Sequence, residues 1–152
     1  MRTGLGYNLS ENNNNVLLGY AYIYSEPYIA VTNDKLRTGE HIIFQQFIAK
    51  QQFGRVSVLH RYRFEQRFLQ DDFKMRLCYS LSLNIPINKK VMDKNAFYAS
   101  LSNEDFINAQ QKQYDRDRIY GGVGYCLSKY IKVEAGVMLQ LLPSKRRTQF
   151  KL

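Results

Sequence analysis

From Val56 to Ile85 the chain reads VSVLHRYRFEQRFLQDDFKMRLCYSLSLNI, two alternating halves around a polar centre. In the second half Phe73, Met75, Leu77, Tyr79, Leu81, Leu83 and Ile85 share one parity. Lys74, Arg76, Cys78, Ser80, Ser82 and Asn84 share the other. Side chains of a strand point alternately to its two faces, so this run predicts a strand with one apolar and one polar wall. The first half repeats the pattern. Val56, Val58, His60, Tyr62, Phe64 and Phe68 are broken only by Gln66. They stand against Ser57, Arg61, Arg63, Glu65 and Arg67, broken only by Leu59. Gln70-Asp71-Asp72 supplies the turn between them. Long adjacent strands with a basic row on one wall are unusual for a water-soluble sheet. They suit a membrane-spanning β-barrel, whose strands run about 9 to 11 residues with apolar side chains outward and polar ones inward.

The same alternation recurs along the chain. Residues 2–9 and 16–24 form a predicted hairpin around the Asn-rich turn 10–15, because Asn tolerates left-handed backbone and caps its own turn. A long polar connection follows at 25–39. Residues 40–53 admit either a strand or a short helix, and the tight turn Phe53-Gly54-Arg55 favours the strand. After Ile85, Pro86 ends the ladder because it has no N–H to donate, and a loop runs to Asn95. Residues 97–104 and 118–127 are further strands, separated by a polar connection at 105–117. Ser128-Lys129 turns the chain into a last strand at 130–141. Residues 143–152 are basic and show no evident strand. These readings give an all-β, antiparallel up-and-down meander of about eight strands. It closes, or partly closes, into a β-barrel, either complete or a piece of a larger one. At 152 residues it is read as a single domain.

Composition supports strands, with 12 Tyr and 9 Phe but no Trp. The formal charge is +9. A basic excess often marks nucleic-acid binding. Here the cations alternate within strands and share their parity with Glu65, Glu104 and Glu134, so no nucleic-acid partner is expected. No apolar run reaches the roughly 18 residues of a transmembrane helix, which leaves a barrel open because its per-strand signal is weaker. Met1-Arg2-Thr3 is not followed by a signal-peptide core. Cys78 and Cys126 are expected to be two unpaired thiols, given the strict geometry of a disulfide.

Four stretches carry a family resemblance in this order: HRYRFEQRF, RLCYSLSLNIPI, the strand from Phe97 that runs into Asn103-Glu104-Asp105-Phe106, and DRIYGGVGY. Together they resemble the bacterial family catalogued as domain of unknown function 2490. The resemblance spans roughly residues 2–140 and is best from His60 onward. It implies a secreted protein grouped with outer-membrane β-barrels of Gram-negative bacteria, with membrane lipid and lipopolysaccharide as partners. It implies no activity. Family members begin with a signal peptide and continue to a terminal strand, and both are expected to be missing from this sequence.

The parities direct Arg61, Arg63, Glu65, Arg67, Lys74, Arg76, Glu104, Arg118, Lys132 and Glu134 into one lumenal charge network. Its bland role is structural, because small barrels fill their interiors with side chains and a dry interior demands paired charge. Its functional role would be a path or site for an anion or small ligand. The solute and the oligomeric state are not legible. No catalytic set, metal-ligand spacing or phosphate-cradling loop appears, so neither enzymatic activity, cofactor nor metal is expected. His60 lies on the apolar parity, away from any lumenal base position. Gly121-Gly122-Val123-Gly124 lies within a strand and reads as packing space. The alternative is a soluble β-barrel or sandwich with its faces inverted, binding a small apolar ligand or an acidic partner.

Overall fold

Alternating, aromatic-rich segments become strands along nearly the whole chain. The computed structural model describes residues 1–10, 14–25, 38–70, 72–109, 113–128, 130–142 and 146–151. Nine strands run through them. They are β1 (Arg2–Asn8), β2 (Asn14–Ser25), β3 (Thr38–Phe53), β4 (Val56–Phe68), β5 (Phe73–Pro86), β6 (Phe97–Asn108), β7 (Gln113–Cys126), β8 (Lys132–Leu141) and β9 (Arg146–Lys151). Each pairs antiparallel with its neighbours in sequence, in one sheet ordered β1 to β9.

The all-β meander is as expected, but several expectations need correction. Among the described residues there are nine strands, because β9 forms in the basic tail, pairing Arg146–Lys151 with β8. Its alternation is hidden by charge, as suits an edge strand that must not recruit others. The predicted polar connection at 105–117 is mostly strand, since β6 reaches Asn108 and β7 begins at Gln113. A register shift at Phe106/Ile107 breaks the pattern there and masked the signal. Finally, the sheet is not closed into a barrel. Among the described residues β1 pairs only with β2, and β9 only with β8. An up-and-down sheet of nine strands leaves its two edge strands running in the same direction, so the edges cannot close by an antiparallel pair.

The connections follow local chemistry. Phe53 stands opposite Val56, so Gly54-Arg55 alone join β3 to β4, and Gly54 takes the positive φ of 57° such a short turn needs. The Leu69 N–H donates to the Asp72 carbonyl at 2.8 Å, closing the β4–β5 turn as expected, with Asp71 outside the described residues. At β7–β8 the N–H groups of Leu127 and Ser128 both donate to the Ile131 carbonyl, so β8 begins at Lys132 rather than at Tyr130. Lys129 lies outside the described residues, as do 11–13 of the Asn-rich turn and 26–37 of the long connection.

The two faces differ in what covers them. The apolar parity is solvent-facing: Leu77 is 48% exposed, Val133 49% and Val137 39%. Aromatic rows run across it, as in Tyr22, His41, Phe68 and Phe73, which stand opposite one another on successive strands. Charged breaks in it include Asp105 opposite Asp117, whose Oδ1 is buried with no hydrogen-bond partner. The other face is the buried one, holding Glu65, Ser80, Ser100, Gln140, Cys78, Phe106 and Tyr98. All the described strands lie in a single sheet, so its curl and its own interlocking side chains do the covering.

Candidate functional site: the charged face

Nine of the ten predicted network residues interlock on this inner face. On β4 and β5, Arg76 donates to Glu65 Oε2 through Nε at 3.0 Å and Nη2 at 2.5 Å. Arg63 Nη1 lies 3.5 Å from the same carboxylate and also donates twice to Gln46 Oε1. Arg76 Nη1 reaches Asp115 Oδ2 on β7 at 3.5 Å. The register shift leaves Asp115 as an extra residue between the Arg116 and Tyr114 partners of β6. Such a bulge re-aims a side chain, and here it turns Asp115 to the face of Arg76. Arg67 is paired with Glu40 of β3, and Lys74 meets Asp72 at 3.1 Å near the β4–β5 turn.

Phe106 sits among these cations. The guanidinium carbons of Arg76, Arg116 and Arg118 lie 5.2, 5.6 and 4.9 Å from its ring centroid. The ring is buried and occupies an inner position opposite Arg116 and beside Glu104. It gives three like charges a common negative surface, worth about 0.5–2 kcal/mol each.

Further along the face the arrangement loosens. Arg61 Nη2 donates to Glu104 Oε1 at 2.6 Å, across the intervening β5. Arg118 Nη1 donates to Glu104 Oε2 at 3.3 Å and its Nε to Gln140 Oε1 at 3.3 Å. The hydroxyls of Tyr98 and Tyr120 face the Glu134 carboxylate. Tyr98 stands on β6 and Glu134 on β8, so the tyrosine must pass over β7. Gly124 makes the crossing possible, because a Cβ there would lie 2.1 Å from Tyr98 Cζ. Gly122 and Gly136 lie under the Tyr120 hydroxyl in the same way. The Gly-rich stretch is therefore packing space, as its position within a strand suggests. Lys132 is the exception to the network: it shares the face, yet among the described residues it makes no ion pair.

These side chains border a cavity of about 500 Å³, lined among others by Arg61, Glu104, Arg118, Lys132, Glu134 and Lys151. Ser80, Ser82, Ser102 and Tyr120 add hydroxyls. A second, apolar groove of about 840 Å³ lies on the opposite face, with Leu5, Leu18, Phe47, Tyr62, Leu77 and Ile107 in its wall.

Sequence parity placed the predicted residues on one face but missed Glu40, Gln46, Phe106, Asp115 and Gln140. Phe106 and Gln140 do sit on the inner parity, and their cross-strand neighbours could have flagged them. Asp115 had no signal, because the bulge inverts its parity. The two histidines lie on the apolar face, His41 bonded to the Tyr20 hydroxyl at 2.6 Å and His60 to that of Tyr79 at 2.9 Å. Cys78 and Cys126 are free and buried. Among the described residues no group of three His, Cys, Asp or Glu could hold a metal, and no helix is long and apolar enough to cross a membrane.

Residues 1–151 match the sequence profile of a family described as protein of unknown function (DUF2490). No curated protein and no solved structure matches the chain.

Proposed function

The chain belongs to that DUF2490 family, and from this premise we propose that it forms the wall of a β-barrel in the bacterial outer membrane. Its apolar face meets lipid and lipopolysaccharide, and its charged face lines the interior. The observation that carries this reading is the inversion of the faces. Leu77, Val133 and Val137 are 48%, 49% and 39% exposed, whereas the Arg76 and Glu65 side chains are 14% and 7% exposed. A water-soluble sheet needs the opposite arrangement, so the soluble reading is not favoured. Strands of 12 to 16 residues in β2 to β7 are long enough to cross a hydrocarbon layer at barrel tilt. The aromatic row Tyr22, His41, Phe68 and Phe73 suits a membrane interface, where amphipathic rings settle at headgroup level.

The role proposed for most of the charged face is structural. Buried carboxylates and guanidinia satisfy one another and tie β3 through β8 into one wall. We propose no catalytic role, since both histidines face away from the charged side and bond to tyrosines.

The test is partition. Full-length protein expressed in Gram-negative cells should sediment with the outer-membrane fraction, resist extraction by urea, and stay soluble after purification only with detergent. Quantitative recovery of folded, untagged protein in detergent-free buffer would overturn the reading.

A further inference from the structure

We infer that the cavity between β4 and β9 on the charged face binds an oxyanion of the phosphate class, held by Arg61, Arg118, Lys132 and Lys151. Four cations face two carboxylates in its lining, Glu104 and Glu134. Those carboxylates are already engaged. Glu104 is shared between Arg61 and Arg118, and Glu134 faces the Tyr98 and Tyr120 hydroxyls. Lys132 and Lys151 form no ion pair among the described residues, although both border the cavity. Elsewhere on the same face Arg63, Arg67, Lys74, Arg76 and Arg116 each have a carboxylate within ion-pair distance. Lys132 and Lys151 thus bring unmatched positive charge to a place with room for a ligand.

Hydroxyls complete the chemistry. Ser82 stands opposite Ser102, Ser102 opposite Tyr120, and Ser80 opposite Glu104, so a row of donors crosses the cavity floor from β5 to β7. Guanidinium forks and ammonium groups over hydroxyl donors match the acceptors of a phosphate group. A volume of about 500 Å³ exceeds one phosphate and leaves space for a small polar carrier. The inference rests on the reading of this face as an enclosed interior, where unmatched cations call for a counter-anion. The phosphate can come from a dissolved solute or from a lipid headgroup.

The experiment titrates full-length protein in maltoside micelles with inorganic phosphate by calorimetry, after liposome flotation has separately tested membrane insertion. Saturable phosphate binding is expected, weakened about tenfold by Lys132→Gln and further by adding Lys151→Gln. Lys74→Gln, at the far end of the face, should leave it unchanged. Competition by phosphatidylglycerol doped into the micelles would identify a headgroup as the source. Undiminished binding in its presence would identify a solute. Protein that inserts in liposomes yet shows no saturable binding overturns the site while leaving the barrel wall intact. Binding that survives the double substitution, or falls equally with Lys74→Gln, overturns it as well.

Discussion

Arg76 and Arg118 both lean on the Phe106 ring, one from β5 and the other from β7, yet they inhabit different surroundings. Arg76 is 14% exposed and has Glu65 and Asp115 as partners. Arg118 is 33% exposed and shares Glu104 with Arg61, which is equally exposed. The first half of the charged face is packed and matched in charge. The second half opens on a cavity and carries cations in excess. Placing a charge on an inner strand row therefore says little about its role. Its partners and its access to water decide whether it serves as mortar or as a binding group.

The sharpest way to break this contrast is to remove one carboxylate from each half. Glu65→Ala would leave Arg63 and Arg76 without their central partner in a buried setting. It should destabilise the fold by about 3–5 kcal/mol in urea unfolding from lipid vesicles. Glu104→Ala should cost clearly less, because Arg61 and Arg118 keep access to water. Equal losses would erase the distinction. Next comes the aromatic crossing that borders the cavity. Gly124→Val would drive Tyr98 off β7 and should cost about 1–3 kcal/mol, the range for overpacking. Combined with Tyr98→Ala the two effects should not add, and additivity would mean that the tyrosine does not cross there.

Phe106→Leu tests the packed half more gently. Losing the ring beneath three guanidinia should lower stability by about 1–2 kcal/mol, with the loss shrinking when Arg116→Gln is already present. The smallest effect is expected at Lys132→Gln. Lys132 is exposed and makes no ion pair among the described residues, so unfolding should shift by no more than about 0.5 kcal/mol. A large loss there would mean that Lys132 is part of the mortar after all.

How much of this was readable from the sequence depends on distance along the strand. Period-two alternation assigned Arg61, Arg63, Glu65, Arg67, Lys74, Arg76, Glu104, Arg118, Lys132 and Glu134 to one face, because that property is local. It could not say that Arg61 pairs with Glu104 rather than with Glu65, since that depends on register across β5. Asp115 escaped because one inserted residue flips parity, and the same shift hid the ends of β6 and β7. β9 escaped because Arg146, Arg147 and Lys151 swamp its alternation. Barrel closure is not legible this way: alternation reports faces, whereas closure depends on strand number and direction, and the nine described strands leave both edges pointing the same way.

Which face meets lipid decides between a barrel wall and a soluble sheet, and the absence of tryptophan from the chain makes that measurable without background. Single tryptophans placed in turn at Val137, Met138, Leu139 and Gln140 of β8 can be read by quenching with bromine-labelled acyl chains in reconstituted vesicles. Strong quenching is expected at 137 and 139 and weak quenching at 138 and 140. Uniform quenching, none at all, or the reverse alternation would contradict the barrel wall.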